Sequence, residues 1–95
     1  QRAKAPPRHA IGFPNQSRSF DATRNGVRFW GNDNALEAAF FVSEDALRRL
    51  EPAMSSDESG MLRAFDAHRS HVLAAAAAVY SRGYKGVYDI EASNI

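Results

Sequence analysis

The chain has no cysteine. Disulfide staples, thiolate metal ligands and cysteine nucleophiles are therefore excluded together. A small domain without a disulfide framework fits a reducing compartment, so a cytoplasmic location is expected. Long apolar runs are missing too. The longest, Val72 to Tyr80, is mostly alanine and lies between His71 and Arg82, far short of the about 18 to 20 apolar residues that a membrane helix needs. No membrane association is expected, and the N-terminal residues lack the apolar middle of a signal peptide. Closely spaced glycines are also absent. Gly31, Gly60, Gly83 and Gly86 are scattered turn and cap glycines, and none forms a phosphate-cradling loop between a strand and a helix.

What is present fits one small globular domain. The 95 residues are 44% apolar and 24% charged, close to globular averages, and a chain of this length supports one core. Net charge is only +1, but it is distributed unevenly. Residues 1–30 carry six basic side chains against Asp21 alone, a net of +5. Residues 31–60 carry seven acids against Arg48 and Arg49, a net of −5. Such asymmetry points either to an acidic partner for the first third or to interleaving of the charges in the fold.

Residues 1–10, with Pro6-Pro7 and three basic side chains, read as a flexible basic N-terminal arm, because proline cannot join a ladder and no apolar periodicity is present. Residues 11–95 read as a single α+β domain. Ile11-Gly12-Phe13-Pro14 is placed to dock apolar side chains at its start, and Ser19 to Asp21 predicts a short strand. Asn25-Gly26 predicts a turn, since both residues tolerate positive φ. Val27-Arg28-Phe29-Trp30 alternates, which puts Val27 and Phe29 on one face and Arg28 and Trp30 on the other. Gly31 to Asn34 predicts a second turn. Leu36 to Val42 is a further strand, with Phe40-Phe41 suggesting cover on both faces. Ser43 is an N-cap for a short helix that has Glu44 and Asp45 in its first turn and stops at Pro52. Ser55 and Glu58 read as a capping box that opens one long amphipathic helix from Met61 to Arg82, closed by Gly83. Gly86 to Ile90 predicts a last strand.

The fold class is thus α+β, a small, mostly antiparallel three- to four-stranded sheet with one short and one long helix in the order β-β-β-α-α-β. The expected core is Val27, Phe29, Leu36, Phe40, Val42, Leu47, Leu50, Leu62, Phe65, Val72, Leu73 and Ala76.

Several short motifs carry a family resemblance: Phe13-Pro14-Asn15, Arg18-Ser19-Phe20-Asp21, Val27-Arg28-Phe29, Val42 to Leu47, Ala64 to Arg69, and Gly83 with the closing strand. In order and spacing, over about residues 11–95, they resemble a small bacterial family catalogued as domain of unknown function 1488. The resemblance implies a compact α+β fold. It carries over no catalytic residue, cofactor or substrate.

The chemistry-bearing residues form no catalytic set. His68 and His71 are three apart on a helix, but a metal site needs further ligands and Asp66 is poorly phased with them. Ser70, His68 and Asp66 are helix neighbours, a spacing that cannot align nucleophile, base and orienting acid. No enzyme activity, metal or cofactor is expected. Arg18, Arg24, Arg28 and Trp30, with Phe20, form a basic and aromatic set of the kind that holds phosphates and stacks bases. No nucleic-acid recognition motif accompanies it. Apolar residues on both strand faces, with only two helices to cover them, raise a different expectation, because an open apolar patch marks a partner or a dimer interface. The leading expectation is a non-catalytic protein-interaction or regulatory module, with a protein partner or homo-oligomer. The alternative is a nucleic-acid binder working through Arg18, Arg24, Arg28, Trp30 and the arm.

Overall fold

A computed structural model describes residues 11–34, 36–81, 84 and 86–95. The arm expected over residues 1–10 lies outside the described residues. Strands β1 (Arg18–Asp21), β2 (Gly26–Asp33) and β3 (Leu36–Ser43) are followed by helices α1 (Glu44–Leu50), α2 (Glu58–Ala67) and α3 (Arg69–Val79), then by β4 (Tyr88–Ile90) and a short 3₁₀ turn over Ala92–Asn94. The sheet order is β1-β2-β3-β4. The first three strands form an antiparallel meander, and β4 returns parallel to β3, the expected α+β architecture with its last strand now placed.

The meander follows from local chemistry. Asn25 adopts φ 58° at the end of the β1–β2 turn, and Asn34 adopts the same φ after β2; asparagine tolerates this left-handed region better than most residues. The turn expected from Gly31 to Asn34 begins later than that, because β2 continues through Gly31 to Asp33. Gly31 is needed inside the strand: a Cβ there would stand 2.6 Å from the Phe13 ring. Phe13 in turn packs against Phe29 and Phe40, and Gly12 exchanges backbone hydrogen bonds with Asn32 at 2.9 and 2.8 Å. The segment before the first strand is therefore docked on the sheet.

Register sets the core. Phe29 faces Phe40 and Val27 faces Val42 across β2–β3, with Tyr88 and Ile90 beside Phe40 and Val42 on the parallel edge. These inward side chains meet Leu47 of α1, Met61 and Phe65 of α2, and Val72 and Ala76 of α3 in one buried cluster. Leu50, Leu62 and Leu73 pack at its margin. Leu36 does not join it. It opens β3 beside the turn and is 53% exposed.

The α1 start is as expected, with Ser43 Oγ accepting from the Ala46 amide at 3.1 Å. The second N-cap is Asp57 rather than Ser55, and its carboxylate accepts from the Gly60 amide at 2.8 Å. The expected single rod from Met61 to Arg82 is two helices. His68 leaves helical geometry (φ −116°, ψ 27°) and serves as C-cap of α2 and N-cap of α3. The bend lets α2 pack on β1 and β2 while α3 reaches β4, which one straight helix over a twisted sheet would not do. His68 Nε2 also lies 2.8 Å from Glu51 Oε1, the C-cap residue of α1. Helix α3 ends at Val79 with Tyr80 as C-cap. The expected stop at Arg82 and Gly83 lies outside the described residues. No described helix is long and apolar enough to cross a membrane.

Candidate interaction face of the sheet

Helix residues that are buried share one cluster with the inward strand positions, so the roof lies on one side of the sheet. The other side presents the alternate positions. Arg28 is paired with Phe41, Trp30 with Ala39 and Asn32 with Glu37. Ser19 stands beside Arg28, and Asp89 beside Phe41. Antiparallel sheets with one solvated face usually carry polar residues outward. Here the two central strands carry Trp30, Ala39 and Phe41 outward.

Phe41 is only 2% exposed although it lies outside the helix-covered cluster. Two neighbours cover it. Its ring extends over Gly26, where a Cβ would approach Phe41 Cζ to 2.3 Å. From solvent, the Arg24 guanidinium stands 4.1 Å from the ring centroid and donates from Nη1 to Asp89 Oδ1 at 3.0 Å. That hydrogen bond, with the charges of nearby carboxylates, raises the Arg24 pKa above its ordinary value against the opposing effect of burial. Arg28 Nε lies 3.8 Å from Asp21 Oδ2, and this Nε is buried with no hydrogen-bond partner among the described residues. Trp30 is half-buried, on the side away from the helices rather than beneath one.

The basic and aromatic set read from sequence is thus divided. Arg24, Arg28 and Trp30 share the outer face. Arg18 is paired with Phe29, which puts it on the helix side, where it donates to both carboxylate oxygens of Asp66, from Nε at 2.9 Å and Nη2 at 2.8 Å. Arg69 adds a 3.3 Å bond to the same carboxylate and another at 3.1 Å to the Gln16 carbonyl. The hydrogen bond from Arg18, followed by the charges of both arginines, holds the Asp66 pKa below its ordinary value against the effect of burial. Phe41, Ala39, Asp21 and Asp89 belong to the outer face too; strand alternation sets Ala39 and Phe41 opposite the core positions of β3. Phe41 was legible from strand alternation alone; Asp89 depended on the unread pairing of β4.

Little here converges for chemistry. Asp66 is engaged by two arginines and His68 by Glu51, so Ser70, His68 and Asp66 are not joined. No group of three or more metal-capable side chains occurs among the described residues. A cleft of about 590 Å³ beside Gln16, Ser17, Arg18, Asp66 and Arg69 is wide and polar. A second, of about 390 Å³, lies between Val79 and Tyr88 near the exposed Tyr84.

None of the curated proteins matches this chain. A crystal structure of a protein of unknown function from the DUF1488 family of Shewanella loihica PV-4 has a similar fold, with a TM-score of 0.61 at 15% identity, over 86% of this chain and 92% of that one. The model of that family, described as protein of unknown function (DUF1488), matches residues 11–91, a span that contains the helix roof and the outer face, and the chain belongs to the DUF1488 family.

Proposed function

We propose that the protein is a non-catalytic protein-interaction module that docks a partner on the outer face of its sheet, and that it works in the cytoplasm. The observation behind this reading is the outward placement of the half-buried Trp30 and Ala39 on the two central strands, where solvation alone would favour polar residues, with Phe41 buried beside them under Arg24. Aromatic residues and arginine are the side chains enriched at the energetic centres of protein interfaces, and Arg24, Arg28 and Trp30 supply both. The cytoplasmic setting rests on the absence of cysteine in a small domain.

Nucleic acid is the competing occupant, and the ion pairs argue against it. Arg18, Arg24 and Arg28 each stand within 4 Å of a carboxylate, of Asp66, Asp89 and Asp21 respectively. Backbone phosphates would have to displace those carboxylates or bind beside them, and affinity for a polyanion comes from unneutralised cations.

A photo-crosslinking amino acid tests the reading in cells. Placed at Glu37, exposed on the outer face, it should give protein adducts; placed at Ser70, exposed on α3, it should not. Trp30→Glu should abolish the adducts from position 37. Equal adducts at both positions, or adducts removed by nuclease, would overturn the proposal.

A further inference from the structure

We infer that β4, on its edge away from β3, takes up an extended segment of a partner protein as an added strand, with an apolar side chain of that segment seated beside Tyr84. This surface is separate from the outer face. β4 is the last strand of the sheet and pairs with β3 on one side, so its other edge has no strand neighbour among the described residues. A strand edge carries backbone donors and acceptors at a fixed spacing. Extended backbone is the occupant that matches such a row.

The cleft of about 390 Å³ lies along this edge. Val87, Tyr88 and Asp89 are consecutive and all line it, although neighbouring strand side chains point to opposite faces. A space that touches all three runs beside the strand, not over one face of it. Val79, Ser81 and Tyr84 form the opposite wall, and Tyr84 is 58% exposed. That wall is built in advance. Tyr84 packs on Tyr88 with ring centroids 4.8 Å apart, Tyr88 stacks on the buried Phe40 at 5.0 Å, and the Tyr88 hydroxyl donates to the Ser81 carbonyl. A preformed seat costs little ordering on binding, and this one is at the small end of ligand clefts, about 300–1,000 Å³, which suits a peptide side chain.

Charge on a strand edge normally deters added strands. Asp89, the charged residue of the lining, is instead set beside Phe41 on the outer face and held there by Arg24. The sheet's other edge differs. The cleft near β1 is lined by Gln16, Ser17, Arg18, Asp66 and Arg69 and offers an apolar side chain no seat.

The probe is a capped peptide of about seven residues, alternating threonine and valine around a central phenylalanine. It is titrated into ¹⁵N-labelled protein and followed by amide NMR shifts and hydrogen exchange. A dissociation constant on the order of 0.1–1 mM is expected for so short an edge. Shifts should centre on Tyr84 and on Val87 to Ile90, and exchange of the β4 amides should slow. Two versions of the peptide, N-methylated at alternate amides in opposite phases, separate backbone pairing from apolar contact. One phase should weaken binding at least about tenfold and the other by less than about twofold, because alternate amides of a strand point to opposite sides. Tyr84→Ala should weaken binding at least about fivefold, with a retained amide spectrum showing that it folds. Trp30→Glu should leave binding unchanged.

Shifts centred on Trp30 and Ala39, or binding lost in Trp30→Glu, would put the peptide on the outer face; the added strand then falls while the outer-face reading stands. Equal effects of the two methylation phases also overturn it, as does the absence of any shift up to about 5 mM peptide. Concentration-dependent shifts of the same amides without peptide would assign the edge to a second copy and overturn the partner segment.

Discussion

The Arg24 guanidinium lies 4.1 Å from the centroid of the Phe41 ring and is anchored there by Asp89 on the neighbouring strand. An exposed cation–π contact is worth about 0.5–1 kcal/mol and an exposed ion pair up to about 1 kcal/mol. Arg24→Ala should therefore lower unfolding free energy by about 1 kcal/mol in urea. Arg24→Lys should recover only part of the loss, since an ammonium keeps the charge without the planar contact. A cost several times larger would show that Arg24 supports more than the ring beneath it.

Gly26 makes a sharper prediction on the same face. A Cβ at this position would stand 2.3 Å from Phe41 Cζ and 2.4 Å from the Val42 carbonyl oxygen. The ring tip can swing aside, but the carbonyl belongs to the β2–β3 pairing and cannot. Gly26→Ala should destabilise by roughly 1–3 kcal/mol, the usual range for overpacking. Shortening the ring with Phe41→Leu in the same chain should rescue only part of it. Full rescue would assign the clash to the ring alone.

The parts of this molecule that were legible in sequence are those governed by local periodicity. Val27 and Phe29 against Arg28 and Trp30 followed from a repeat of two, and Ser43 announced its helix by cap chemistry. The parts that were not legible depend on residues far apart in the chain. Asp66-Ala67-His68-Arg69 contains neither glycine nor proline, so nothing local marks the break at His68; the break lets α2 pack on β1 while α3 reaches β4. Gly31 resembled a turn residue until Phe13 was found against it. Arg18 was grouped with Arg28 because both are basic and near in sequence, whereas the β1–β2 register puts them on opposite faces.

Leu36 and Phe65 were expected in the same core, and the structure separates them. Phe65 is fully buried and packs 5.2 Å from the Phe29 ring, while Leu36 is 53% exposed. Phe65→Ala should cost about 3–5 kcal/mol, and Leu36→Ala no more than about 0.5 kcal/mol, as for surface substitutions away from special contacts. Chemical denaturation of the two variants side by side decides the point. Equal costs would place the roof over the wrong part of the sheet.

Asp66 supplies a pH-dependent contribution whose sign is fixed by its partners. Arg18 grips both of its oxygens and Arg69 adds a third bond, so its carboxyl titrates lower in the folded chain than in the unfolded one. A group with a depressed folded pKa contributes its full stability above the unfolded value, about 4 for aspartate, and loses it as pH falls through the folded value. Asp66→Asn should thus be less stable than the parent near neutral pH, by about 1 kcal/mol because the pair is partly exposed and screened by solvent. That difference should hold from pH 7 to about 5 and shrink progressively below about 4. Urea midpoints of both proteins across that range provide the measurement. A gap that stays constant down to acid pH would mean that the asparagine disrupts packing at the β1–α2 seam, and that the arginine clamp on Asp66 contributes nothing through charge.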